Sequence, residues 1–407
     1  MTRSRFGSPA KNLLLFGSAF FLGFTAFTEP TQFILFNVGA NTAPEALRAI
    51  HQEFAPPTNA RVCVGASAIF SYLDKPREQT RRELDRFLKT AQQNSIPVVV
   101  QLDGENWWRA RPDLWNWWDS WRPGYSPTNR LNVEWTNWSP DAAIKIAWRN
   151  WGNQIRVLPP PNLMSPGYRQ ACHQEMRLVI PLVLNWWQAL PADKKYLFIG
   201  IKLGWESSVG INAWYYPNGN ALLNLPVNQD PSGGLKVDEL PARGVAQIGY
   251  AAVKTAGLRT SGDITEADLA EVVRRHLADL CSLAGELGVP RERLFTHVAG
   301  WKEQERLYSA GVNSFSCPGW SFYRHANDPK QDIGFLKALQ FSDAPYWAAV
   351  EWLYQGPRQT GLWQQALNNT LVPSNCRYLC IFNWENVSNS MAILQAVHQV
   401  VQTARLR

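Results

Sequence analysis

The sequence predicts an α/β protein folded as one (β/α)8, or TIM, barrel with long insertions after strands three and four. Three observations predict it. Eight short runs, apolar at most positions, recur between residues 33 and 384, as expected of strands buried on both faces of a parallel sheet. Amphipathic stretches of helical period separate them, which is the alternation of an α/β fold. No GxGxxG or GxxxxGK[ST] follows any run, so the open nucleotide-binding sheet that shares this alternation lacks its usual signature.

The expected strands are residues 33–39, 61–70, 96–102, 196–203, 294–300, 312–317, 347–353 and 377–384. Between them, 45–54 places Leu47, Ile50 and Phe54 on one helical face, and 77–93 gathers Leu84, Phe87, Leu88 and Ala91. Residues 169–189 form a long apolar helix interrupted by Pro181. The helix expected over 265–287 opens with Thr265 three residues before Asp268, a capping signal. It carries Leu269, Val272, Val273, Leu277, Leu280 and Leu283, and stops at Gly288 with Pro290 beyond. Residues 331–339, 359–367 and 390–403 complete the helices. Two connections exceed what a barrel needs. Residues 104–168 hold ten Trp, and residues 207–262 are rich in Asn, Gly and Pro. Both leave the C-terminal ends of strands, the face on which such barrels carry their sites. No second domain boundary interrupts residues 31–407.

Composition narrows the function. Of 407 residues 45% are hydrophobic and only 18% charged, while 20 are Trp. Such an excess of Trp serves either a large aromatic core or a surface that stacks on flat apolar faces. The net charge is +7, but Arg3, Arg5 and Lys11 sit at the N-terminus and no polybasic run follows, which argues against a nucleic-acid partner. The basic start, the apolar run at 12–27 and the polar Thr28-Glu29-Pro30 make residues 1–30 a signal peptide or N-terminal membrane anchor. The expected location is therefore secreted, periplasmic or tethered on the outer side of a membrane. Six scattered cysteines, with no CxxC pair, and six His without ligand spacing predict neither a metal site nor another cofactor. Export would permit one or two disulfides. Buried free thiols are the alternative, and Cys376 and Cys380, four apart in one strand, are too distant to bond each other.

The C-terminal strand ends face one bowl. Strand one brings Asn37, strand three Glu105 and Asn106 with Trp107 after them, and strand four Trp205 and Glu206, with Asn212 beyond. Strand five brings His297, strand six Trp320 and Tyr323, strand seven Glu351 and Trp352, and strand eight Trp384 and Glu385. Carboxylates among aromatics, without a HExxH helix or a GxSxG elbow, suit glycoside chemistry. One carboxyl protonates the leaving oxygen while a second attacks or supports the oxocarbenium-like centre. Trp faces stack on sugar C–H surfaces, and Asn, His and Tyr bond hydroxyls. The Trp pairs of the first insertion serve either such a cleft or the insertion's own core.

Here the chain resembles the clan A glycoside hydrolases. The likeness spans most of residues 33–400 as architecture and isolated positions. It rests on Ile-Lys-Leu-Gly-Trp-Glu206 at the end of strand four, Trp-Ala-Ala-Val-Glu351-Trp at strand seven and Ile-Phe-Asn-Trp384-Glu at strand eight. The resemblance implies an acid/base role for Glu206, a nucleophile role for Glu351, an aromatic platform at Trp384 and a Tyr323 bonded to the nucleophile. It also implies a retaining double displacement on an oligo- or polysaccharide. The chain departs from the clan at Trp205, where an Asn that binds the sugar 2-hydroxyl is usual; either that contact passes to Asn212 or Asn106, or Glu206 is not the acid/base. The competing expectation is a non-catalytic carbohydrate-binding protein on a barrel of the same kind.

Overall fold

The structure, a computed structural model, describes residues 32–54, 61–151, 153–209, 213–230, 245–299, 305–371 and 375–404. The N-terminal segment expected to direct export lies outside the described residues, as does Asn212. Among the described residues no helix is long and apolar enough to cross a membrane.

Eight strands close into a parallel barrel in chain order. They are β1 (Gln32–Val38), β2 (Val62–Ser71), β3 (Val98–Asp103), β4 (Phe198–Ser207), β5 (Leu294–Val298), β6 (Gly319–Phe322), β7 (Trp347–Trp352) and β8 (Cys376–Ile381). β1 pairs with β2 from Gln32↔Val62 to Val38↔Ala68, and with β8 from Phe33↔Tyr378 to Phe36↔Ile381, which shuts the ring. The alternation of side chains along each strand divides the core in two. Phe33, Leu35, Val99, Phe295, Tyr378 and Cys380 fill the barrel interior. Ile34, Phe36, Val98, Val100, Leu379 and Ile381 point outward beneath the helices. Both faces are apolar, which is why the strands read as continuous apolar runs.

The outer ring consists of α1 (Ala43–Glu53), α2 (Arg77–Gln93), α3 (Pro166–Ala189), α4 (Glu266–Glu286), α5 (Glu305–Ala310), α6 (Ile333–Phe341), α7 (Thr360–Leu371) and α8 (Met391–Thr403). α4 starts on the expected reciprocal cap. Asp268 N–H donates to Thr265 Oγ1 at 3.2 Å, and Thr265 N–H donates to Asp268 Oδ2 at 2.9 Å. α3 differs from expectation in running unbroken through Pro181. The amide that proline lacks would have bonded the carbonyl of Arg177, an exposed residue whose carbonyl can turn to water.

The sixth strand is the main correction. Residues 312–317 do not form it; β6 starts at Gly319. Asn313 Oδ1 accepts from Phe315 N–H at 2.8 Å and from Ser316 Oγ at 3.2 Å, a local turn that displaces ladder pairing. Cys317 of that run pairs with the barrel through an isolated bridge to Phe295.

The two long connections are stitched together. Strands Ala147–Trp151 and Asn153–Val157 from the first pair antiparallel with each other, and the former also pairs with Ala213–Trp214 from the second. Trp107, Trp115, Trp135 and Trp148 are buried inside this structure, while Trp121 is 96% exposed. All six cysteines are buried, and none is in a disulfide among the described residues.

Candidate active site

Backbone irregularities at two strand ends bring the carboxylates together. In β4, Gly204 has φ +88° and Glu206 itself φ +48°, and the register against β5 slips between Leu203 and Ser207. A left-handed glutamate costs of order 1–3 kcal/mol and persists only where its surroundings hold it. Glu105 supplies part of that hold on both flanks, accepting from Ser207 Oγ and from Trp205 N–H, the latter at 3.4 Å. In β7 the register against β6 slips between Ala349 and Glu351. This bulge lets Val350 pack inside the barrel while the next residue, Glu351, also reaches the cavity above.

Glu206 and Glu351 lie on the floor of a cavity of about 700 Å³ walled by Trp205, Tyr323, Arg324, Leu353 and Phe382. One oxygen of each carboxyl and one ring nitrogen of His297 all lie within 4.8 Å of one another. Tyr323 OH donates to Glu351 Oε1. Ser321 Oγ donates to Glu206 Oε1 at 3.0 Å; the same oxygen is 2.8 Å from His297 Nε2, whose Nδ1 is 2.7 Å from Lys202 Nζ. Lys202, His297 and Ser321 are fully buried. The triad of Glu206, His297 and Glu351 has the separations of a metal site. Both nitrogens of His297 are engaged by Lys202 and Ser321, however, so the ring has no lone pair to offer a cation.

The electrostatics separate the two carboxyls. Burial, and next the charge of Glu351, hold the Glu206 carboxyl well above its ordinary pKa. Burial also raises Glu351, but the Tyr323 hydroxyl and then the Lys202 ammonium pull it back toward the ionised form. Burial pushes Lys202 down to about 8 against the attraction of Glu351 and Asp103, and burial with Lys202 holds His297 well below the usual imidazole value. Both buried carboxyls are thus raised, with the Tyr323 hydroxyl and the Lys202 ammonium opposing the rise at Glu351.

The other expected site residues divide. Trp205 lines this cavity and an adjoining one of about 460 Å³, which it shares with Asn37, Asn106, Ile69 and Phe382. Asn37 Oδ1 accepts from Gln101 Nε2 at 2.7 Å. His297 lies beneath the cavity and meets Glu206 through Ser321. Glu105 is buried off the cleft, its carboxyl raised to about 7 by burial against the pull of Arg149. Glu385 is exposed at the rim, 3.4 Å from Gly39 N–H.

Four tryptophans expected in the cleft are not there. Trp320 and Trp352 have the outward parity of their strands and are fully buried under the helices, Trp320 against Phe335 and Trp347, Trp352 against Trp363. Trp107 is fully buried, its Nε1 donating to Pro159 O at 3.0 Å. Trp384 packs edge-on against Phe36, ring centroids 4.9 Å apart, behind the site. The aromatic at the mouth of β8 is Phe382, and its residue parity could have found it, since Tyr378 and Cys380 point inward. Lys202 and Ser321 were also missed. A lone Lys inside the apolar Phe-Ile-Gly-Ile-Lys-Leu was the visible signal. Ser321 offered none. Arg149, its guanidinium 5.0 Å from the Trp205 ring, comes from a segment no strand-end inspection reaches.

No protein-family model matches the chain, and no curated protein matches it. Solved structures similar to it include the catalytic domain of β-amylase from Paenibacillus polymyxa, at 10% identity and TM-score 0.49 over 93% of this chain and 100% of that one. A glycoside hydrolase family 5 enzyme from Prevotella bryantii is similar at 8% identity and TM-score 0.43, over 92% and 96% of the two chains. A β-1,4-mannanase of glycoside hydrolase family 113 is similar at 9% identity and TM-score 0.38, over 93% and 99%.

Proposed function

We propose that this chain is a glycoside hydrolase that cleaves O-glycosidic bonds with retention of configuration, Glu351 acting as nucleophile and Glu206 as general acid and base. The observation that carries this reading is the separation of the two carboxyls, whose nearest ligand oxygens lie within 4.8 Å. Such closeness of single oxygens favours direct attack over an intervening water; the full separation of the carboxyl groups, about 5–5.5 Å in retaining sites and roughly 6.5–9.5 Å in inverting ones, is the quantity a crystal structure would measure. The split in proton affinity supports the assignment of roles.

In the first step a Glu351 oxygen attacks the anomeric carbon. The bond from that carbon to the leaving oxygen breaks, and its electron pair is taken up with the proton of Glu206. Tyr323 donates to Oε1 of the nucleophile and so orients it, and Lys202 keeps it anionic in a buried setting. In the second step the Glu206 carboxylate takes a proton from water, whose oxygen displaces Glu351 from the same carbon. Two inversions give retention. Trp205 offers an aromatic wall where the substrate would cross from one cavity to the next.

The test is a pair of variants assayed on aryl glycosides and oligosaccharides. Glu351→Ala is expected to abolish turnover, with azide restoring it and giving the product of inverted configuration. Glu206→Ala is expected to lose ~10²–10⁴-fold on substrates with poor leaving groups. On activated aryl substrates its first step is spared, and azide then gives a product of retained configuration. Wild-type turnover in both variants on a substrate the enzyme hydrolyses overturns the assignment.

A further inference from the structure

We propose that Lys202, His297 and Ser321 are positioning residues forming a one-way hydrogen-bond chain that dictates which oxygen of Glu206 carries its proton. The inference rests on the acid/base reading of Glu206 for its consequence, though not for its geometry. The three residues come from neighbouring strands β4, β5 and β6, and all are fully buried. Successive contacts measure 2.7 Å from Lys202 Nζ to His297 Nδ1, 2.8 Å from His297 Nε2 to Ser321 Oγ, and 3.0 Å from Ser321 Oγ to Glu206 Oε1.

Donor counting sets the direction. An ammonium only donates, so His297 Nδ1 must be the bare, accepting nitrogen. A neutral imidazole has one N–H, which is then on Nε2 and points at Ser321 Oγ. The serine hydroxyl has one proton and, with its oxygen already accepting from His297, gives that proton to Glu206 Oε1. Oε1 is therefore an acceptor whether Glu206 is ionised or not, and as the better acceptor in its carbonyl form it leaves the acidic proton to Oε2. The reverse chain would require a proton on Oε1, a bare Nε2 and an Nδ1–H pressed against the Lys202 ammonium, which buried donors cannot tolerate. A randomly oriented carboxylic acid would present its proton in the useful place only part of the time. The chain removes that freedom before substrate binds. The charged and titratable groups facing it are Glu351, Arg149 and Tyr323 around Glu206, and Glu351, Asp103 and Cys380 around Lys202.

The experiment has two arms. In the full chain labelled with 15N-histidine, with His297 assigned by the loss of its signal in His297→Asn, the ring is expected as the neutral Nε2–H tautomer from pH 5 to 7. An Nδ1–H tautomer or an imidazolium at neutral pH overturns the proposal, and this readout needs no substrate. In the second arm Ser321→Ala is expected to lower turnover on poor leaving groups by about tenfold or more relative to activated ones. Ser321→Thr, which keeps the hydroxyl, is expected to restore the ratio. An unchanged ratio in Ser321→Ala overturns the positioning role. Failure of Glu351→Ala to affect turnover would instead overturn the mechanism while leaving the tautomer result standing.

Discussion

Glu351 faces opposing demands that its neighbours settle. Burial alone would protonate a carboxyl with 8% exposure, yet the nucleophile role proposed for it requires the ionised form. The Tyr323 hydroxyl donates to it and the Lys202 ammonium lies beneath, and both stabilise the charged form. Tyr323→Phe deletes the hydrogen bond and keeps the ring. The Glu351 pKa then rises further, so the acid limb of the kcat/KM profile is expected to move to higher pH. A pH–rate profile with an unmoved acid limb would show that Tyr323 does not set the ionisation. The same residue illustrates what is legible one residue at a time. Tyr323, Glu206 and Glu351 were identifiable from strand-end position, whereas Ser321 acts only through its place between His297 and Glu206, which no local pattern encodes.

At the scale of a single element, β4 shows how irregularity serves the site. The strand runs straight to Leu203, turns at Gly204 with φ +88°, and so aims Glu206 upward. A Cβ at Gly204 would stand 2.6 Å from Ser207 Oγ and 2.7 Å from Leu277 Cδ2. Gly204→Ala therefore combines a clash with a left-handed backbone that costs an L-residue about 1–2 kcal/mol. It is expected to lower the thermal midpoint by several degrees and to cut turnover through displacement of Glu206. A variant with unchanged melting temperature and turnover would show that the turn tolerates a side chain. The corresponding feature of β7, the bulge before Glu351, explains why alternation alone misassigns that strand. Val350 and Glu351 are consecutive yet both point toward the barrel axis. Where alternation holds, as at 378, 380 and 382 in β8, it identifies Phe382 and rejects Trp384.

Across the whole molecule the two insertions are joined by strand pairing over the C-terminal face of the barrel, and a buried acid lies between them. Glu134, from the first insertion, is completely buried opposite the amide end of the helix Tyr250–Thr255 from the second. Burial raises its carboxyl from 4.5 to about 8, the nearby amides easing but not cancelling the cost. The folded state holds this proton at pH values where the unfolded chain has released it. Stability is therefore present below about 4.5 and declines as pH rises toward 8, by up to about 1.4 kcal/mol per pH unit. Glu134→Gln mimics the protonated form. Its melting temperature is expected to match the wild type near pH 4.5 and to exceed it increasingly up to pH 8. Parallel curves across that range would show that Glu134 does not titrate on unfolding.

The sequence by itself determined the barrel class, most of its helices with the Thr265 cap, and the strand ends that supply Glu206 and Glu351; the short helix Glu305–Ala310 escaped it. These follow from short-range causes, namely apolar period, capping chemistry and the order of elements along the chain. It could not decide the start of β6, because the Asn313 turn and the apolar run there compete locally and only the pairing with β5 and β7 resolves them. Nor could it decide which tryptophans face substrate. Composition supplied twenty, and whether each lines the cleft or fills the core depends on strand parity, bulges and the joining of two insertions far apart in sequence. Tertiary structure alone decided the Lys202–His297–Ser321 chain and the closeness of the carboxyls. Each requires side chains from separate strands to converge within hydrogen-bonding or charge-coupling range, and the closed barrel supplies that convergence.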